Sequence, residues 1–265
     1  MTLSYITWNL DPEIFHLGPL SIRYYGILFA LSFYMGYVIM LKFFKKENLS
    51  TELLDKLTIY MAVGTVLGAR LGHCLFYQPD YYFSNPLEIL KIWHGGLASH
   101  GAGIGILIAL YLFSRKYKKP YLWTLDKIVI VVALAGFFIR TGNLMNSEIY
   151  GDVTNLPWGF IFKHNGEILP KHPTQIYEAL SYLLIFFLLY FLHNKKSIKL
   201  KNGTIFGIFM VLLFTVRFLI EFIKEVQVNF EESMILNMGQ ILSIPFILIG
   251  IGIIIYNCFI AKQKE

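Results

Sequence analysis

The stretch LWTLDKIVIVVALAGFFIRTGNLM, residues 122–145, decides the fold. It is a long run of Val, Ile, Ala, Leu and Phe, and roughly 20 mostly apolar residues suffice for a helix to cross about 30 Å of hydrocarbon. Its end is unlike its middle, because Arg140, Asn143, Asn146 and Glu148 follow one another within nine residues as the apolar run finishes. Six further apolar segments flank it, at about 23–41, 57–76, 96–113, 176–192, 203–223 and 238–260. The 265-residue chain is 56% hydrophobic and 15% charged, a mix that excludes an ordinary soluble domain. The expectation is an all-α, polytopic membrane protein of about seven transmembrane helices, forming one integral membrane domain over 1–265. A head segment, 146–172, is inserted between spans four and five. No cleavable signal peptide is expected, since the start lacks a basic stretch followed by a small-residue cleavage site.

Basic residues orient the spans. Clusters follow the first (KFFKKE, 42–47), the third (SRKYKKP, 114–120) and the fifth (HNKKSIKLK, 193–201), and the chain ends AKQKE. The alternate connections are poorer in Lys and Arg, which by the positive-inside rule puts the N-terminus outside and the C-terminus in the cytoplasm. The same clusters account for the net charge of +6 through topology and anionic-lipid contact, with no nucleic-acid partner needed. Cys74 and Cys258 lie in separate spans and read as small apolar fillers, not as a disulfide or metal site.

The arginines behave differently. Lysines are expected in loops or at span ends, whereas Arg23, Arg70, Arg140 and Arg217 fall in or at the edge of spans. An intramembrane arginine costs about 2.5–3.5 kcal/mol on insertion scales and is retained for function or for pairing. Its planar fork grips phosphate or carboxylate, so the pattern points to an anion handled at membrane depth. Polar groups gather toward the outer ends of spans. HGGLASHGAGIG (94–105) opens the third, and KHPTQIYEAL (171–180) enters the fifth with Thr174 placed as a helix cap. TVRFLIEFIKE (215–225) carries Arg217 and Glu221 as an i,i+4 pair, and NMGQILSIP (237–245) opens the seventh.

In this order RYYGILFAL, GARLGH, GGLASHG, RTGNLMNSEIYG, HPTQIYEAL, RFLIEF and MGQILSIP resemble the phosphatidylglycerol–prolipoprotein diacylglyceryl transferases of bacteria, from about Arg23 to Pro245. The segment Arg140–Gly151 is similar to the family signature R-x-G-N-x-x-N-x-E-x-x-G. The resemblance implies an inner-membrane enzyme with a small periplasmic head segment and an active site open outward and sideways to lipid. Its substrates would be phosphatidylglycerol and prolipoprotein lipobox peptides. The diacylglyceryl group would move to the lipobox cysteine thiol, with release of glycerol phosphate and with neither cofactor nor metal. Arg140 and Arg217 would grip the phosphate, and Asn143 and Asn146 would hold headgroup hydroxyls or shape the pocket. Glu148 and Glu221 would orient the arginines, Tyr25 would line the lipid pocket, and Gly151 completes the signature. The thiol, with an ordinary pKa of about 8.5, must lose its proton. The resemblance gives that task to His100 rather than His94, and an imidazole near pKa 6.5 suits it.

One departure is visible. After Glu221 the family continues with an arginine and then Pro-Asp, where this chain reads FIKEVQVNFE, so Lys224 keeps the charge without the fork. Two other classes of function use the same residues. A transporter or scramblase of an anionic lipid would need intramembrane arginines, but no self-similarity links the two halves. A non-catalytic subunit would pair its arginines with Glu148, Glu178 and Glu221. One outward pocket, a path across the bilayer, or dispersed ion pairs would tell the three apart.

Overall fold

A computed structural model of the protein describes residues 5–18, 20–92, 95–195, 200–225 and 234–259. His94 and most of the diverged loop after Lys224 lie outside the described residues. Each of the seven apolar segments is a helix. They are α1 (Tyr24–Lys46), α2 (Thr51–Phe76), α4 (Ser99–Lys116), α5 (Tyr121–Met145), α6 (Thr174–Asn194), α7 (Thr204–Ile220) and α8 (Met238–Phe259), with a short α3 (Pro79–Ser84) between α2 and α4. All but α4 are long and apolar enough to cross a membrane by length and composition. α4 is 18 residues long, and Ser99–His100 at one end and Arg115–Lys116 at the other dilute its apolar run. The second helix starts earlier than hydropathy alone predicts. Ser50 caps it, its hydroxyl accepting the Leu53 N–H at 3.3 Å, so polar residues 51–56 still extend the helix.

Two compact units make up the chain, residues 1–39 with 126–265, and residues 40–125. In the second unit, α2 and α4 pack backbone to backbone. A Cβ placed on Gly101 would run into the Gly68 carbonyl oxygen, and one on Gly105 into that of Gly64, so side chains are excluded from the crossing. Gly101→Ala is therefore expected to destabilise the protein by about 1–3 kcal/mol, the usual range for overpacking where backbone must move. A thermal melt in detergent checks this. An unchanged midpoint would mean that the helices can part without loss.

Arg70 belongs to this unit and is not available to an anion. It is almost fully buried, and its guanidinium donates to the carbonyls of Glu88 (2.6 Å), Ile89 (3.0 Å) and Gly95 (2.6 Å). Arg70 thereby satisfies backbone carbonyls on both the 3-10 turn Pro86–Leu90 and Gly95. His73 stacks on Tyr77 with ring centroids 5.6 Å apart and is structural.

In the first unit, Asp126 on α5 accepts the backbone N–H groups of Gly203 (2.6 Å) and Phe206 (2.7 Å), capping α7 from a neighbouring helix. Lys127 beside it, in the second turn of α5, is buried. Arg23, at the edge of the first span, is exposed at the end of β3 (Leu20–Arg23), which pairs antiparallel with β2 (Glu13–Leu17), and it bonds Glu13 at 2.8 Å.

The head segment is a small β structure with its own core. β4 (Phe160–Phe162) pairs in parallel with β1 (Ile6–Trp8), and single bridges link Phe160 and Val153 to Lys171, and Gly151 to Lys224. Phe160 and Phe162 pack with Leu144 of α5, and Tyr150 stacks on Phe162 at 4.7 Å. Trp8 donates to the Leu144 carbonyl at 3.1 Å, which ties β1 to the end of α5.

Candidate active site

The polar end of α5 folds back on itself. The Glu148 N–H donates to Asn143 O and the Ser147 N–H to Leu144 O, each at 3.0 Å, the paired bonds of a Schellman C-cap with Ser147 in the left-handed region (φ 53°). That turn returns Glu148 toward the helix it has just left. Its Oε1 accepts from Asn143 Nδ2 at 2.7 Å and from Asn146 Nδ2 at 3.2 Å. Asn143 Oδ1 in turn accepts from Arg140 Nη1 at 3.2 Å. The three-residue spacing seen in the sequence thus becomes one continuous chain, arginine to carboxamide to carboxylate. Tyr25 completes this side. Its ring lies so close to α5 that a Cβ on Gly142 would sit 2.7 Å from Cδ2, and its hydroxyl feels both Glu148 and Arg140.

Arg140 meets Glu178, which the sequence offered only as one of three possible arginine partners in a non-catalytic reading. Glu178 on α6 is fully buried, and its Oε2 lies 2.9 Å from Arg140 Nε. That oxygen accepts no hydrogen bond, so the contact is electrostatic and off-axis. Glu178 Oε1 accepts from Tyr182 at 3.3 Å and stands 3.6 Å from Lys224 Nζ. Lys224 Nζ thereby lies within reach of the carboxylates of both Glu178 and Glu221. A carboxylate at the start of an apolar span is the signal that could have found Glu178, since such a group has to be paired.

The expected Arg217–Glu221 pair does not form. α7 ends at Ile220 and residues Glu221–Ile223 continue as a 3-10 turn, but the Glu221 N–H still donates to the Arg217 carbonyl, so the pair is lost at the side chains and not through the backbone. Glu221 lies 3.4 Å from Lys224 instead and packs against Gly239 of α8. Among the described residues Arg217 has no hydrogen-bond or carboxylate partner. Lys224, just beyond α7, is buried. Burial pushes its ammonium below the ordinary lysine range, with repulsion from Arg140 and Arg217 adding to this and attraction to Glu178 and Glu221 opposing it.

Gly151 has a packing reason for its place. Its N–H donates to His172 O at 2.8 Å, and a side chain there would meet the Ile223 carbonyl oxygen. Thr174 does not cap α6 as expected. Pro173 holds the cap position, and the Thr174 hydroxyl bonds elsewhere. His100 is the second residue of α4, exposed, in the second unit, while every other site residue named from the sequence lies in the first. No group of three or more His, Cys, Asp or Glu side chains suited to a metal occurs among the described residues.

Residues 12–256 match the family model described as prolipoprotein diacylglyceryl transferase. A phosphatidylglycerol–prolipoprotein diacylglyceryl transferase of Tolumonas auensis is 47% identical over 258 residues, covering 97% of this chain and 98% of its own. One from Chloroherpeton thalassium is 46% identical over 265 residues, covering 100% and 97%, and one from Porphyromonas gingivalis is 47% identical over 271, covering 96% of each. With a family match over nearly its whole length and relatives this similar end to end, the chain belongs to the prolipoprotein diacylglyceryl transferase family.

Proposed function

We propose that the protein transfers the diacylglyceryl group of phosphatidylglycerol to the lipobox cysteine of prolipoproteins in the bacterial inner membrane. The thiolate sulfur attacks the glycerol carbon that bears the phosphodiester, a C–S bond forms, the C–O bond breaks, and glycerol phosphate departs with the electron pair. The observation that carries this reading is Arg217, half-buried at the end of a span and unpaired among the described residues, beside an Arg140 held in place by Glu178 and Asn143. A phosphodiester monoanion is the counter-charge such a site lacks. Fixed guanidiniums in a water-poor setting stabilise the charge growing on the departing phosphate far better than bulk water does. Asn146 adds support, since its Oδ1 is buried without a donor and a headgroup hydroxyl would satisfy it. The relatives' names speak for transfer and against a transporter.

The signature, the head segment and the arginines all gather at span ends away from the basic clusters, which supports a site facing the periplasm, with the N-terminus on that side and the C-terminus in the cytoplasm. His100 is the proton acceptor on the strength of the family resemblance. If so, the rate rises with pH through the imidazole range, and His100→Gln flattens that limb and lowers the rate by about 10²–10⁴-fold. An unchanged pH profile would leave the histidine without a part in the chemistry. The reading as a whole is tested with purified protein, phosphatidylglycerol vesicles and a lipobox peptide. A diacylglyceryl mass gain on the cysteine is expected, and an unmodified peptide would refute it.

A further inference from the structure

Residues Ser147 and Ile149 both adopt left-handed backbone, φ 53° and 61°, on either side of Glu148. Ser147 sits at the Schellman position that usually holds glycine. Ile149 has no such local reason, and a β-branched side chain is poorly tolerated there. Strained residues of this kind persist only where their surroundings over-determine them. The surroundings in this turn are specific. Asn165 Nδ2 donates to Ser147 O at 2.6 Å, Gln175 Nε2 to Glu148 O at 2.7 Å, and the Thr174 hydroxyl to Ile149 O at 2.9 Å. Three consecutive carbonyls are held by three side chains from two other segments, the head loop and the first turn of α6. Ser147, Thr174 and Gln175 are fully buried, so water cannot replace those donors.

We propose that Asn165, Thr174 and Gln175 form a positioning clamp that holds the strained turn and thereby sets the Glu148 carboxylate against Asn143, Asn146 and, through Asn143, Arg140. This rests on the transferase reading, since it assigns the clamp a part in that reaction. It also explains why a Thr-Gln pair follows His172-Pro173, where a helix cap would need only one of them. Thr174 and Gln175 touch the backbone of the turn and act on the substrate only through Glu148. Losing one donor lets the turn relax, which displaces the carboxylate and the carboxamides it orders. Misplacement of about 1 Å in such a constellation is enough for a loss of about 10²-fold.

The test uses the full-length protein in phosphatidylglycerol-containing detergent micelles. Thr174→Val removes the hydroxyl at nearly constant volume and is expected to lower kcat by about 10–100-fold, with KM for phosphatidylglycerol little changed. Thr174→Ser keeps the donor and is expected to stay within about threefold of the wild type. Adding Ile149→Asn to Thr174→Val supplies a residue that accepts left-handed backbone, and is expected to recover most of the lost kcat. Amide exchange across residues 147–151 should quicken in Thr174→Val and slow again in the double variant, a readout independent of turnover. Should Thr174→Val fail to fold, Asn165→Ala with and without Ser147→Gly poses the same question at the other end of the turn. A loss that the left-handed-tolerant partner does not restore, or a Thr174→Val enzyme with wild-type kcat, overturns the clamp. A wild-type protein that transfers nothing, while its exchange pattern responds as described, overturns the transferase reading and leaves the clamp standing as structure alone.

Discussion

Arg140→Lys is expected to lower kcat/KM for diacylglyceryl transfer by about a hundred- to a thousandfold while leaving the protein in the membrane. Hydrogen bonds to charged groups contribute about 1.5–3 kcal/mol each when buried, and each 1.36 kcal/mol is a factor of ten in rate. The wild-type guanidinium addresses Glu178 through Nε, Asn143 through Nη1 and, in the proposed reaction, a phosphate as well. A lysine ammonium is a single point at the end of a flexible stem, and it cannot hold all three in one plane. The loss is expected mainly in kcat, because charge on the phosphate is greatest as the C–O bond breaks. Steady-state kinetics with the lipobox peptide at saturating lipid check it. Near-normal turnover would remove Arg140 from the phosphate.

The largest expected effect on stability is that of Glu178→Gln. Glu178 is fully buried and lies 2.9 Å from Arg140 and 3.6 Å from Lys224, so an isosteric neutral amide leaves two cations facing each other. Breaking a buried pair by removing one partner is destabilising by about 3–5 kcal/mol. Activity should fall with it, since Arg140 loses its orientation. A pH signature separates this from a simple packing defect. Lys224 already titrates below its ordinary range in the folded protein, and loss of Glu178 lowers it further. Between that depressed value and the ordinary lysine pKa of about 10.4, the unfolded chain binds the proton more tightly than the native one, so stability rises with pH across this window. The deficit of Glu178→Gln should therefore shrink as pH rises from the variant's folded Lys224 pKa to the wild type's, both below the ordinary lysine value, because the unfolded chain titrates alike in the two proteins. Lys224→Met in the same background should restore part of the deficit at neutral pH. Melts over that pH range check both. A pH-independent deficit would mean that Lys224 is not coupled to Glu178.

Much of the fold was legible because a membrane imposes a simple rule. Seven apolar runs became seven helices, since a helix satisfies its own backbone in hydrocarbon. The Arg140–Asn143 link was legible too, because three-residue spacing on a helix puts side chains on one face, whereas Asn146 and Glu148 join it through the turn that ends α5. What could not be read depended on contacts distant in sequence or on local geometry. Glu178 lies far along the chain from Arg140, on another helix, so the sequence could offer it only as one of three possible arginine partners. Helical spacing offered Arg217 and Glu221 as an i,i+4 pair, but the Glu221 carboxylate turns to Lys224 and Gly239 instead. Arg70 was expected to meet an anion or a carboxylate and instead meets the backbone carbonyls of Glu88, Ile89 and Gly95, partners about twenty residues away that no local pattern names. Thr174 had the residue type of a helix cap and a carbonyl 25 positions away as its true partner.

The central claim is that the guanidiniums of α5 and α7 close on one phospholipid phosphate, and a cryo-EM map of the protein in phosphatidylglycerol nanodiscs tests it most directly. Headgroup density is expected whose phosphate oxygens lie within about 2.7–2.9 Å of nitrogens from both Arg140 and Arg217, the usual length of charge-assisted bonds. A phosphate bound by one arginine alone, with the other sealed against a protein carboxylate, would contradict it.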